Sequence, residues 1–288
     1  MNEIVALILA AGRGTRLLPA TKSVPKEMLP LVDRPLIHYT LEEAISSGLD
    51  HAILVTSGLK DAVHHYFDTD AELDRMMAGK GEDNPLLSVE QLVRSCELSY
   101  VRQREPKGIA DAVRSAQRAL AGRAFVLFFP DDVIISKVPV SRQLLDVHEK
   151  YKATVIAVER VPREHTSRYG IVDAEPVGNG VYKVRGLVEK PKPEDAPSDL
   201  GVVGRYVITP GIFDAIAATK PGAGGELQIT DALQKLLERE PIYALTFEGR
   251  RFDTGNPAGY LRTSVALALE RPDIAEELRP ALKELLKG

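Results

Sequence analysis

Cysteine occurs once in this chain, as Cys96. A lone thiol excludes an internal disulfide framework and fits a reducing compartment. Six histidines are present, but none stands at metal-ligand spacing. His64 and His65 are adjacent, and both are expected on a helix surface. No apolar run approaches the length of about 18 residues that a membrane-spanning helix needs. No basic-then-apolar leader with a cleavage site is legible at the N-terminus, so a cytoplasmic protein without a membrane partner is expected. An excess of positive charge is also missing. The net charge is −4, so the field of the whole molecule does not favour nucleic acid and any anion site must be built locally. Two common phosphate-binding signatures are absent as well. There is no Walker A run, and Gly12-Arg13-Gly14 does not continue into the glycine pattern that opens a dinucleotide-binding helix.

The chain does have enough apolar sequence for a sizeable core, with 44% apolar and 27% charged residues over 288 positions. Ile4-Val5-Ala6-Leu7-Ile8-Leu9 reads as a strand buried on both faces. It runs directly into Ala10-Ala11-Gly12-Arg13-Gly14-Thr15-Arg16-Leu17. A glycine-rich turn after a buried strand exposes backbone N–H groups that can wrap a phosphate. Arg13, Arg16, Lys22 and Lys26 add a local cluster of cations. Pro19 and Pro25 predict an extended loop rather than a helix. Taken alone, the segment fits a tight turn with solvated basic residues as well as a phosphate cradle.

Strand and helix patterns alternate through the first half. Strands are expected at 3–9, 52–56, 99–101, 124–129 and 153–158, with helices at 35–47, 59–66, 108–121 and 141–151. This order implies a mostly parallel sheet covered by helices, with ligands at the carboxyl ends of its strands. Residues 68–96 are expected to be an insertion of short helices. In the second half, strands at 169–174 and 181–188 are joined by a hairpin signal ending in Asn179-Gly180, and another strand follows at 201–208. A helix is expected at 229–239, a strand at 242–247, and helix from 257 to 286 with a break at Pro272. The expected fold class is therefore α/β: a Rossmann-like, mostly parallel mixed sheet flanked by helices, with a small β insertion and a helical C-terminus. A main domain over 1–265, containing strands at 160–210, would precede a helical extension over 266–288. The extension's amphipathic pattern suits packing on the core or on a neighbouring subunit.

Several polar segments sit where chemistry could occur. Phe129-Pro130-Asp131-Asp132 follows the strongest apolar strand, where an acid can hold Mg²⁺ or simply make a turn. Phe252-Asp253-Thr254-Gly255-Asn256 offers a second acid, equally a turn or a cap. Val188-Glu189-Lys190-Pro191-Lys192-Pro193 is a charged, proline-stiffened loop. Gly170 fits a strand kink, and Gln103 a surface position.

Gly12-x-Gly14-Thr15-Arg16-Leu17-Leu18-Pro19-Ala20-Thr21-Lys22, followed by Pro25-Lys26-Glu27-Met28-Leu29-Pro30-Leu31, resembles the signature of sugar-1-phosphate nucleotidylyltransferases, in particular the bacterial UTP–glucose-1-phosphate uridylyltransferases. Matching segments recur from residue 4 to about residue 260. The resemblance implies that the backbone at Ala10, Ala11, Gly12, Gly14 and Thr15, together with Gln103 and Gly108, takes the nucleotide. It gives Arg16, Lys26 and Lys190 to the reacting phosphates and Asp131 and Asp253 to Mg²⁺, with Asp132 adjacent. It places Gly170, Glu189, Lys190, Gly204 and Glu226 on the sugar phosphate. Val203-Gly204-Arg205-Tyr206 and the glycine loop from Gly222 to Asp231 carry the last of these matches. A homo-oligomer, dimer or tetramer, is implied too.

The implied reaction joins glucose 1-phosphate to UTP with release of pyrophosphate. A phosphate monoester is its own nucleophile, with a second pKa of about 6, so no nucleophile–histidine pair is needed. A dTTP-specific thymidylyltransferase is the nearest rival within the family. A nucleotide-sugar glycosyltransferase would leave the basic loop at 12–26 with little purpose. A non-catalytic nucleotide-sugar sensor would have little reason to keep the metal and phosphate contacts together.

Overall fold

A computed structural model describes residues 4–58, 60–222 and 225–287. Glu3, at the start of the first expected strand, Leu59, at the start of the second expected helix, and Ala223 and Gly224 of the glycine loop lie outside the described residues. The strands are β1 (Val5–Leu9), β2 (Pro30–Leu31), β3 (Arg34–Pro35), β4 (His51–Thr56), β5 (Glu97–Arg102), β6 (Phe125–Phe128), β7 (Asp132–Ile135), β8 (Thr154–Arg160), β9 (Gly170–Gly178), β10 (Val181–Glu189), β11 (Leu200–Ile208), β12 (Ile242–Thr246) and β13 (Arg250–Asp253). The helices are α1 (Leu36–Ser46), α2 (Asp61–Phe67), α3 (Ala71–Met77), α4 (Leu87–Ser95), α5 (Ile109–Ser115), α6 (Gln117–Leu120), α7 (Val140–Tyr151), α8 (Ile212–Ala218), α9 (Ile229–Leu237), α10 (Pro257–Glu270) and α11 (Pro272–Leu285).

Nine strands form one mixed sheet in the order β5-β4-β1-β6-β11-β8-β12-β10-β9. β5, β4, β1 and β6 are parallel neighbours, as are β8 and β12, while β10 and β11 run against the rest. The expected small β insertion is part of this sheet. Asn179 and Gly180 both take positive φ, 52° and 73°, which suits a tight two-residue hairpin turn. The resulting β9–β10 hairpin also reaches back to β11 through Ile171 and Gly201.

Alternation along the strands builds two apolar layers. Val5 and Leu7 of β1 face the layer that holds Val113, Phe213, Ile229 and Leu233. Ala6 and Ile8 face the layer that holds Ile37, Leu41, Leu92 and Leu144. α9 buries Ile229, Ala232, Leu233 and Leu236, one stripe at helical spacing. Each such large aliphatic side chain contributes about 1.5–3 kcal/mol when buried.

Several local expectations change. Around Pro19 and Pro25 the 15–28 loop winds into three single 3-10 turns, Thr15–Leu17, Ala20–Lys22 and Lys26–Met28, rather than staying extended. The helix expected at 108–121 breaks at Ala116, whose N–H bonds back to Val113 O, a tightened turn. α10 runs through residue 265, where the extension is expected to begin, while the division of the helical C-terminus falls at the expected break, at Arg271 ahead of Pro272, which cannot donate to the preceding helix. His65 is exposed, but His64 packs inward, with Nε2 3.1 Å from Thr56 Oγ1 and its ring 4.5 Å from that of Tyr100.

β7 and β13 form a two-stranded ribbon that pairs Asp132 with Asp253. This ribbon sits at the carboxyl end of β6 and fixes two distant stretches of sequence against each other.

Candidate active site

The loop after β1 turns at Gly14, in left-handed conformation with φ 65°. A methyl group there would stand 3.1 Å from Lys26 Cβ and 3.2 Å from Thr21 Cγ2, so the turn packs tightly on the second half of its own loop. Thr21 Oγ1 donates to Gly14 O at 2.8 Å and holds it there. Ala10 N–H is spent on Val55 O. The N–H groups from Ala11 to Gly14 have no acceptor among the described residues. Successive free N–H groups around such a turn form a concave anion cradle.

The same loop delivers Lys26 to Asp131, with Nζ 2.8 Å from Oδ2. Burial opposes both charges. The pair outweighs it: Asp131 and Glu27 raise the Lys26 pKa, and Lys26 holds the Asp131 carboxyl below its ordinary range. Asp131 O accepts from Thr254 N and Oγ1, each at 2.8 Å. This clips the turn after β6 to the turn after β13. Gly255 completes the junction. A methyl group on Gly255 would lie 3.0 Å from Asp253 Oδ1, 3.3 Å from Asp131 Oδ2 and 3.7 Å from Arg16 Nη1. Two carboxylates and a guanidinium therefore converge on one glycine, with Lys26 paired to one of the carboxylates.

Asp132 does different work. Its Oδ2 accepts from Gly204 N at 2.7 Å, and its Oδ1 takes Arg251 Nε at 2.7 Å. Both oxygens are committed to protein donors, which leaves Asp131 as the acid facing Asp253. Arg251 continues to Glu159 at 2.6 Å and lies over the Tyr169 ring at 5.4 Å, tying this corner to the start of β9. There Gly170 lies under Glu189, because a methyl group would stand 2.9 Å from Thr230 Oγ1 and 3.5 Å from Glu189 Oε2. Glu189 Oε2 accepts from Thr230 at 2.7 Å, and its Oε1 meets Lys190 Nζ at 2.7 Å. Lys190 itself has φ 45° and is exposed, directly after the end of β10. Burial and then the carboxylates of Asp132 and Glu189 raise the Tyr206 pKa, so this phenol stands between the two acidic corners as a neutral group.

Residues 5–270 match the model of the family described as nucleotidyl transferase. The chain belongs to the nucleotidyl transferase family. It is 41% identical over 280 residues to a UTP–glucose-1-phosphate uridylyltransferase of Staphylococcus epidermidis, covering 97% of each chain. It is 42% identical over 281 residues to the Bacillus subtilis protein of the same name, covering 98% of this chain and 96% of that one. A crystal structure of a UDP-glucose pyrophosphorylase complexed with UDP-glucose superimposes with a TM-score of 0.87 at 40% identity, covering 93% of this chain and all of that one.

In this nucleotidyl transferase the remaining residues fall in two groups. Gln103 is buried, not a surface residue, and it lies beside Gly108. Gly108 has φ 101°, and a methyl group there would stand 2.5 Å from Leu227 O and 3.1 Å from Glu226 Cβ. Gly108 and the exposed Glu226 are thus neighbours. Gly204 is different. Its N–H goes to Asp132 and its carbonyl to Phe129 N, and a methyl group would collide with both residues at 2.7 Å. Close packing explains why this position is glycine.

Sequence reading missed the supports. Glu27, next to Lys26 on the same 3-10 turn, forms a buried ion pair with Lys60 at 2.6 Å. Arg251 and Thr230 hold Asp132 and Glu189. Asp111 accepts from Gln103. All but the last join residues far apart in the chain, so no local spacing announces them.

Among the described residues, no group of three or more His, Cys, Asp or Glu side chains is arranged to hold a metal ion. Two carboxylates do face one another across Gly255, and Mg²⁺ is commonly held by one or two carboxylates plus substrate phosphates. The donor set fits a divalent ion shared with a nucleotide. No helix among the described residues is long and apolar enough to cross a membrane.

Proposed function

We propose that this protein transfers a uridylyl group from UTP to glucose 1-phosphate, giving UDP-glucose and pyrophosphate. The convergence of Arg16, Asp131 and Asp253 on Gly255, beside the free N–H groups from Ala11 to Gly14, carries this reading. A site that joins cations, carboxylates and a backbone anion cradle is built for several phosphates at once. Relatives named for this activity, matched over nearly their whole length, support the choice of substrates.

A phosphate oxygen of glucose 1-phosphate attacks the α-phosphorus of UTP. One P–O bond forms, the bond bridging the α- and β-phosphates breaks, and pyrophosphate leaves. The nucleophile is already ionised near neutrality, with a second pKa of about 6, so no side chain has to take a proton. The cradle and Arg16 hold the triphosphate. Lys26, kept cationic by Asp131, stabilises charge at the α-phosphate. Lys190 binds the sugar phosphate, while Glu189, oriented by Thr230, accepts from sugar hydroxyls. Asp131 and Asp253 would hold Mg²⁺, which when bound offsets the charge of the phosphates.

The chain's cytoplasmic location and its assembly into a dimer or tetramer belong to the same proposal. Incubation with UTP, glucose 1-phosphate and Mg²⁺ is expected to yield UDP-glucose and pyrophosphate in equal amounts. Pyrophosphate release without UDP-glucose would contradict the proposed transfer.

A further inference from the structure

The Gln103 side chain carries one donor end and one acceptor end, and the fold uses the donor end itself. Gln103 Nε2 donates to Asp111 Oδ2 at 2.9 Å and to Gly108 O at 3.3 Å. No donor among the described residues reaches its Oε1. Flipping the carboxamide would set Oε1 against a carboxylate and a carbonyl, so two acceptors dictate its orientation. Asp111 is itself held. It is buried, and its Oδ1 meets Arg114 Nη2 at 2.5 Å. An acid in the first turn of a helix is ordinary. A bond from that acid back to a buried glutamine eight residues earlier is a more specific feature.

Resting on the proposed uridylyl transfer and on the nucleotide role that the resemblance gives Gln103, we propose that Gln103 meets the base and that Asp111 is a specificity-determining positioning residue. It fixes the Gln103 oxygen as an acceptor, so the site selects a pyrimidine that donates from N3–H. Uracil and thymine have that donor. Cytosine presents an acceptor at N3 and would leave two lone pairs opposed. Asp111 therefore acts through Gln103 to exclude CTP, and it does not separate UTP from dTTP.

The test compares kcat/KM for UTP and CTP in the wild type and in Asp111→Asn. Asparagine has a single oxygen for two donors, Arg114 and Gln103. Pointing it at Arg114 turns its NH₂ onto Gln103 and releases the fixed orientation. The UTP-over-CTP ratio is expected to fall at least about tenfold. A purely structural lesion would lower both nucleotides together and leave the ratio unchanged. A ratio within about twofold of wild type in a folded variant overturns the assignment of Asp111 and leaves the proposed reaction standing. Absence of turnover with UTP in the wild type overturns the underlying reading instead. Where the variant does not fold, wild-type binding decides. N3-methyl-UTP, which lacks the donor, is expected to bind at least about tenfold more weakly than UTP, and equal binding overturns the proposal.

Discussion

Replacing Lys60 by methionine probes the ground on which Lys26 stands. Glu27 and Lys60 have side chains 0% and 5% exposed, with Lys60 Nζ 2.6 Å from Glu27 Oε2. Glu27 Oε1 has no hydrogen-bond partner among the described residues. Burial raises the Glu27 pKa, and Lys26 and Lys60 pull it back only partly. Lys60→Met keeps most of the volume and removes the charge. An unpaired buried carboxylate costs about 3–5 kcal/mol. Protonation is the escape, and it sets the sign of the pH dependence. A carboxyl whose folded pKa lies above its unfolded value takes up a proton on folding, so stability falls as pH rises above the ordinary carboxylate range. Urea unfolding of Lys60→Met is therefore expected to show a deficit of about 3 kcal/mol or more at pH 7 and a smaller one at pH 5. The double variant Glu27→Gln/Lys60→Met removes both charges and is expected to regain most of that loss. A single-variant deficit below about 1 kcal/mol at pH 7, or one that does not shrink on acidification, would refute the reasoning. Because Glu27 follows Lys26 on one 3-10 turn, the single variant should also lower kcat.

Three further outcomes follow from the geometry. Lys26→Ala is expected to lower kcat about 10²–10³-fold, as for loss of one transition-state cation, with steady-state kinetics as the check and a loss under threefold contradicting its role. Gly108→Ala, with φ 101° and a collision at Leu227 O, should cost at least about 1 kcal/mol in urea unfolding and raise KM for UTP; wild-type values for both would remove the tight-approach argument. His38 is fully buried, and burial, then Arg34, lower its pKa to about 4. The unfolded chain binds that proton more readily, so stability should fall by about 2 kcal/mol from pH 7 to pH 5 on this account, a slope that His38→Gln removes and that unfolding curves at both pH values can read.

The fold was largely legible because its strands are long apolar runs and its helices carry clean periodic stripes. The layers on the two faces of β1 follow directly from the alternation Val5-Ala6-Leu7-Ile8. The β7–β13 ribbon was not legible. Its strands are short, mixed in polarity, and paired across roughly two fifths of the sequence. The candidate site divides in the same way. Gly14, Lys26, Asp131 and Asp253 stand in segments whose order and spacing resemble a family signature. What separates Asp131 from Asp132 is tertiary, since only the fold brings Gly204 and Arg251 to Asp132. Gln103 carries the same lesson: its buried donor end is visible only once Asp111 is placed.

The most direct measurement is the initial rate of pyrophosphate release by the purified protein with Mg²⁺ and glucose 1-phosphate, run in parallel with UTP, dTTP, CTP, ATP and GTP. A uridylyltransferase releases pyrophosphate from UTP well above the others, and release depends on glucose 1-phosphate. Release chiefly from dTTP would keep the site and overturn the substrate. No release from any of the five would contradict a nucleotidyl transfer at this site.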